Sequence, residues 1–113
     1  MNLTEEAKKI INDSEYQAEL TEMIEQANQL LEANGIVPTD LQWTVLINHI
    51  NEMIKRSKAG EKMTGIDPEL FAEVSSEALS IAGELVKSIG NLMIDEMYVL
   101  SIHFETAKQN SVE

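Results

Sequence analysis

Apolar residues recur at three- and four-residue intervals in each long segment of the chain, which is the period of an α-helix packed on one side. The two-residue alternation that is typical of a half-buried strand is missing. Aromatic residues, which are enriched in strands, make up only 4% of the sequence. The pattern therefore predicts an all-α protein.

Capping residues and helix-ending residues divide this pattern into five predicted helices. Ser, Thr, Asp or Asn before an apolar run is typical of a helix N-terminus, and Gly or Pro typically follows a C-terminus. The predicted helices are a short one from Asn2 to about Ile11, one from Ser14 to Gly35, one from Thr39 to about Ser57, one from Asp67-Pro68 to Gly90, and one over about 93–108. Gly83, inside the fourth, is a poor helix former and indicates a close helix crossing.

The length and the short connections indicate how these helices are arranged. A chain of 113 residues is long enough for one well-buried core but not for two. Short connections favour antiparallel neighbours. We therefore expect residues 1–113 to form a single domain, a compact five-helix bundle of mostly antiparallel helices.

The charge and the N-terminal residues argue against several classes of function. The net charge is −12, from 20 acidic and 8 basic residues, and such a surface repels the phosphate backbones of nucleic acids. The first residues are polar, and no apolar run approaches the roughly 20 residues of a membrane span. We expect a cytoplasmic protein without direct nucleic-acid or membrane binding.

Only two histidines occur, and each has a charged residue seven positions away, two helical turns along its own predicted helix. Arg56 follows His49, and Glu96 precedes His103. Imidazole titrates near neutral pH and can accept a phosphoryl group. Arginine can hold phosphate oxygens bidentately, and a carboxylate can orient an imidazole. Each histidine taken alone is also compatible with a half-buried structural role.

The segments that contain these residues resemble a known family. "INHINEMIKR", with His49 and Arg56, is similar to the His-(Ile/Leu)-x-x-x-Ile-x-Arg signature of the phosphotransferase-system regulation domain, the PRD. "IDEMYVLSIHFETA", with Asp95, Glu96 and His103, resembles the second signature of that domain. The resemblance extends over roughly residues 16–108.

The resemblance implies a five-helix bundle of the kind found in bacterial antiterminators and transcription activators. It implies that His49 and His103 are phosphoacceptors, with Arg56 and Glu96 as supporting residues, and that the phosphocarrier HPr or an enzyme IIB is the donor. It also implies a homodimer that needs no cofactor. Family regulators usually carry two such domains joined to an output domain. Since this sequence has one, we expect a free-standing sensor of sugar supply rather than an enzyme, which acts through dimerisation or a downstream regulator.

Two alternative hypotheses remain open from the sequence. In the first, the chain is a helical interaction or dimerisation scaffold that is not phosphorylated, and its histidines are structural. In the second, His49, His103 and Glu96 form a metal site or a small active site. The second hypothesis has little support, because the sequence has no HExxH motif, no Gly-rich phosphate loop and no third ligand at helical spacing.

Overall fold

Five α-helices account for most of the backbone in the computed structural model, which describes residues 2–111. They are α1 (Glu5–Asp13), α2 (Gln17–Ala33), α3 (Asp40–Ala59), α4 (Ser76–Ile89) and α5 (Asp95–Lys108), with short 3₁₀ turns at Pro68–Phe71 and Gln109–Ser111. No strand occurs within the described residues. The predicted all-α, five-helix class is confirmed. None of the helices in this range is both long and apolar enough to cross a bilayer.

The core forms where the apolar faces of the helices meet. One face of α2 is buried, with Leu20, Ile24, Ala27 and Leu31 at most 5% exposed. Helix α3 packs against α1, α2 and α5, and α4 packs mainly against α5. A Cβ atom added at Gly83 would lie 3.3 Å from Met97 Sδ of α5. The missing side chain of Gly83 therefore leaves room for the Met97 side chain, and the close helix crossing expected at this glycine stays a prediction.

Helix α3 begins where its sequence predicts. The Thr39 hydroxyl accepts a hydrogen bond from the Gln42 backbone N–H, and the Gln42 side chain accepts one from the Thr39 N–H, which completes a capping box. The helix ends at Ala59, where Gly60 adopts a φ of 73° and its N–H bonds to the carbonyls of the last turn. Both ends of α3 are thus held by local interactions, and the helix is a firm support for the side chains along it.

The predicted caps of the first two helices differ from the observed ones. Thr4, and not Asn2, caps α1, because its hydroxyl accepts a hydrogen bond from the Ala7 N–H. Ser14 does not cap α2. Its hydroxyl accepts a hydrogen bond from the Tyr16 N–H and donates one to Asn51 of α3, so this serine belongs to the turn between the helices.

The predicted long helix after Asp67-Pro68 is wrong over its first turns. Asp67 caps only a 3₁₀ turn, and α4 begins at Ser76 after a new N-cap, Ser75. The Glu105 carboxylate of α5 accepts hydrogen bonds from both the N–H and the hydroxyl of Ser75, which fixes this second start. Leu70 is 79% exposed, so the apolar pattern before Ser75 does not continue the buried face of α4.

Candidate functional site

Helices α3 and α5 bring the four residues singled out in the sequence into one site. His49 and Arg56 lie two turns apart on α3, and Glu96 and His103 lie two turns apart on α5. The two helices pack against each other. The contacts run between the helices: one histidine meets the other, and the arginine meets the glutamate.

The two imidazoles share one hydrogen bond. The Nδ1 atom of His49 lies 2.8 Å from the Nε2 atom of His103. The ring centroids are 4.9 Å apart and the planes are inclined by 65°, so one ring presents its edge to the other. A neutral imidazole has one N–H donor and one acceptor nitrogen, so one ring donates and the other accepts.

Neither imidazole is sealed inside the protein. Both histidines are partly buried, and the His49 Nε2 and His103 Nδ1 atoms have no hydrogen-bond partner within residues 2–111. No buried side-chain nitrogen or oxygen in this range lacks a partner. It follows that both of these outward ring nitrogens keep some contact with solvent.

The surroundings of the pair favour the neutral form of both rings. The pKa of His49 is lowered to about 4, mainly by burial and also by electrostatic interaction with protonated His103 and with Arg56, while Glu96 and Glu52 oppose the shift. Burial also lowers the pKa of His103. Both imidazoles are therefore uncharged near pH 7, and each keeps one nitrogen lone pair.

Acidification is expected to destabilise the fold through His49. Its pKa is 6.5 when unfolded and about 4 when folded, so between these values the unfolded chain binds the proton more tightly. Stability should fall as the pH decreases from about 6.5 to about 4, by about 3 kcal/mol in total. Urea unfolding across this range measures the loss. The His49→Asn variant, which cannot titrate there, should lose less, and equal losses would contradict the assignment.

Arg56 and Glu96 form a two-pronged ion pair between the same two helices. Arg56 Nε donates to one carboxylate oxygen of Glu96 and Nη2 donates to the other, both at 2.8 Å. The Glu96 side chain is fully buried, whereas that of Arg56 is 22% exposed. The hydrogen bond to Glu96 raises the pKa of Arg56. Two of the five guanidinium N–H groups are used, which leaves three for a further acceptor.

The supporting roles implied by the sequence resemblance are arranged differently in space. Arg56 was expected to act with His49, and Glu96 to orient His103. In the structure Glu96 accepts both hydrogen bonds from Arg56, and His49 is the partner of His103. Residues seven apart on one helix are separated by about 10 Å along its axis. A long side chain therefore meets the facing helix more readily than its own helix two turns away.

An apolar groove beside His103 was not predicted from the sequence. It has a volume of about 210 Å³, and we call it the α3–α5 groove. Its lining residues are Pro38, Leu41, Gln42, Val45, Leu46, Ile102, His103, Phe104 and Thr106. Leu41 is 69% exposed, Val45 48% and Ile102 44%. These apolar residues are visible in the sequence, but the helical period of α3 does not show that Val45 lies outside the buried face of the helix.

The described residues do not contain a cluster of three or more His, Cys, Asp or Glu side chains that could hold a metal ion. His49, His103 and Glu96 do not converge on one point, since Glu96 faces Arg56 while the histidines face each other. The geometry therefore lends no support to the metal-site hypothesis.

Comparison with known protein families assigns the chain to one family. The family model of the PRD domain matches residues 21–107, which is most of the chain. The chain belongs to the PRD family. In this PRD the matched region contains all four residues of the histidine and ion-pair site.

A solved structure of similar sequence supports the same assignment. The crystal structure of a PRD-containing transcription regulator from Lactobacillus casei ATCC 334, at 1.38 Å resolution, is 43% identical in sequence to this PRD. The match covers 99% of each chain, with a TM-score of 0.90. The five-helix architecture is thus shared over the full length of both chains. No curated protein matches the sequence significantly.

Proposed function

We propose that this PRD is a regulatory module of bacterial sugar uptake and utilisation, which is phosphorylated on His49 or His103 by proteins of the phosphotransferase system. The observation that supports this most strongly is the pair of neutral, hydrogen-bonded imidazoles with one outward nitrogen each. The phosphocarrier HPr or an enzyme IIB is the proposed donor, and the cytoplasm is the proposed location. The module regulates without catalysing a reaction of its own.

The chemistry of the pair suits phosphoryl transfer. The nucleophile of such a transfer is a nitrogen lone pair, which exists only on an unprotonated ring nitrogen. Burial keeps both histidines unprotonated near pH 7. Arg56 carries a permanent positive charge close enough to influence His49, and its unused N–H groups suit phosphate oxygens.

The proposed output is a change in self-association at the α3–α5 groove. His103 is the only ionisable residue among those that line the groove. The whole chain, in contrast, has a net charge of −12. Two copies of such a chain repel each other least where they meet through an uncharged face. A phosphoryl group adds close to two negative charges. On His103, it would bring these charges into the groove and weaken the contact between copies.

The route from this switch to gene expression is proposed to pass through a partner. The similar Lactobacillus protein is described as a transcription regulator. The acidic surface of this PRD disfavours direct contact with DNA or RNA. A downstream regulator protein that recognises one association state of the PRD accounts for both observations.

A scaffold without phosphorylation is the second candidate function. The observation that favours it is that each histidine has the other as its hydrogen-bond partner, so the pair is satisfied within the fold. In that case substitutions that retain a hydrogen bond would leave the association of the protein and its partner binding unchanged.

A phosphorylation assay separates the two candidates. Incubation with enzyme I, HPr and radiolabelled phosphoenolpyruvate should place acid-labile phosphate on this PRD. The double variant His49→Asn/His103→Gln should lose the label completely, because these are the only two histidines. Asn and Gln amides can retain the hydrogen bond at the Nδ1 and Nε2 positions, so the fold is expected to survive. Circular dichroism of the double variant is the control.

Two results of this assay would overturn the proposal. If the wild-type protein takes no label from HPr or from several enzyme IIB donors, phosphoryl regulation is wrong and the scaffold remains. Label that persists in the correctly folded double variant would show that the acceptor is not a histidine.

A further inference from the structure

The hydrogen bond between the histidines uses different atoms on the two rings. His49 contributes Nδ1 and His103 contributes Nε2. The outward nitrogens are therefore Nε2 on His49 and Nδ1 on His103. The two acceptor candidates consequently offer chemically different atoms to a reactant, although both are imidazoles.

The shared bond also couples the tautomers of the rings. If His49 donates from Nδ1, then His103 accepts at Nε2 and carries its own proton on Nδ1. If His103 donates from Nε2, then His49 accepts at Nδ1 and carries its proton on Nε2. In a neutral pair both protons thus lie on Nδ1 or both lie on Nε2. A mixed pair would set two lone pairs or two N–H groups against each other and would lose the bond.

Each tautomeric state exposes one outward lone pair. When both protons lie on Nδ1, the outward lone pair belongs to His49 Nε2. When both lie on Nε2, it belongs to His103 Nδ1. The inward nitrogens can react only after the hydrogen bond breaks and a ring turns, which the packing of α3 against α5 opposes.

We propose that the His49–His103 hydrogen bond selects the phosphorylated atom, so that His49 is phosphorylated at Nε2 and His103 at Nδ1. This inference rests on the proposed function for its biological donor, but the atom selection is a property of the folded pair. In the reaction at His49, the Nε2 lone pair forms the bond to phosphorus while the bond from phosphorus to the donor atom breaks. The electron pair of the broken bond stays on the donor.

The partner ring has a defined part in this step. The attacking His49 ring gains positive charge and keeps its Nδ1 proton, which His103 Nε2 accepts as a hydrogen bond. His103 is then a positioning residue for His49, because it holds the ring and shares the charge that develops. The roles are exchanged when His103 is the nucleophile, with His49 Nδ1 accepting the proton of His103 Nε2.

The test uses two single variants that keep the hydrogen bond, with phosphoramidate as a small donor that needs no phosphotransferase protein. Folded His103→Gln should give phosphohistidine at Nε2 of His49, and folded His49→Asn should give it at Nδ1 of His103. The excess of the expected isomer should be at least about ten to one, since the other nitrogen is hydrogen-bonded. Phosphorus and nitrogen NMR distinguish the two isomers. Urea-unfolded protein, which should give both isomers, is the control.

Two further measurements test the coupling itself. Long-range proton–nitrogen NMR of the unmodified protein near pH 7 should show the same tautomer for both rings. The His103→Leu variant, which removes the partner atom, should lose the isomer preference at His49, an effect that a purely structural role of His103 does not produce.

Several outcomes would overturn the inference. These are opposite tautomers in the two rings, the Nδ1 isomer on folded His49, the Nε2 isomer on folded His103, or a folded variant that does not react while its unfolded form does. Selective reaction with phosphoramidate combined with no reaction with HPr or enzyme IIB would support the atom selection while contradicting the proposed function. The two failures are therefore distinguishable.

Discussion

Replacement of Arg56 by methionine should lower the free energy of unfolding by about 3–5 kcal/mol, because it leaves a buried carboxylate without its partner. Glu96 is fully buried and receives two hydrogen bonds from Arg56, both at 2.8 Å. Methionine fills much of the volume of the arginine stem but offers no donor. The loss is therefore electrostatic in origin, and urea unfolding followed by circular dichroism measures it.

Three controls separate this effect from a loss of packing. Glu96→Met should be less costly than Arg56→Met, because the remaining Arg56 is 22% exposed and can reach water. The double variant should recover most of the loss, since a buried ion pair can be replaced by apolar residues at little cost. Lys8→Met breaks an exposed pair with Glu5 and should change stability by less than about 1 kcal/mol. A loss below about 1 kcal/mol in Arg56→Met would contradict the argument.

The helical class could be predicted because it depends on local signals. The capping box of Thr39 and Gln42 forms as its sequence indicates, since both of its bonds are made within one turn. Such features require no knowledge of distant residues.

Two of the errors occur where a distant residue decides the local structure. Ser14 has the sequence pattern of a cap, but its hydroxyl bonds to Asn51 of another helix. Asp67-Pro68 starts only a 3₁₀ turn, because Glu105 of α5 fixes a second helix start at Ser75. The local pattern at each residue favours a helix start, whereas the competing long-range bond is not visible in the sequence.

The site likewise combines features that the sequence predicts with features that depend on distant residues. Spacing along each helix selected the four residues that the structure brings together. It did not predict which residue pairs with which, because that depends on the register between α3 and α5. The ion pair of Arg56 with Glu96 and the bond of His49 with His103 are consequences of that register. The exposure of Val45 on α3 and of Ile102 on α5 likewise depends on which side of each helix is not covered by the facing helix.

The proposed contact between two copies at the α3–α5 groove predicts the second large effect, on self-association. Ile102 is 44% exposed and lines the groove next to His103. If two copies meet there through a two-fold axis, each dimer buries the substitution twice. Ile102→Glu should therefore raise the dissociation constant by about a thousand-fold or more, because two like carboxylates are brought together in an apolar contact. Sedimentation equilibrium at fixed ionic strength measures the change.

The matched control is Leu70→Glu, which adds the same charge at a residue that is 79% exposed on the 3₁₀ turn and does not line the groove. Leu70→Glu should change the dissociation constant by no more than about threefold, because it adds only slightly to the net repulsion between the chains.

Higher salt should strengthen the wild-type dimer, because the repulsion between chains of net charge −12 is screened. A monomeric wild type, or equal effects of the two substitutions, would contradict dimerisation through this groove. A dimer that Ile102→Glu dissociates and phosphorylation of His103 weakens would link the site to its proposed output, because both changes place negative charge in the same apolar contact.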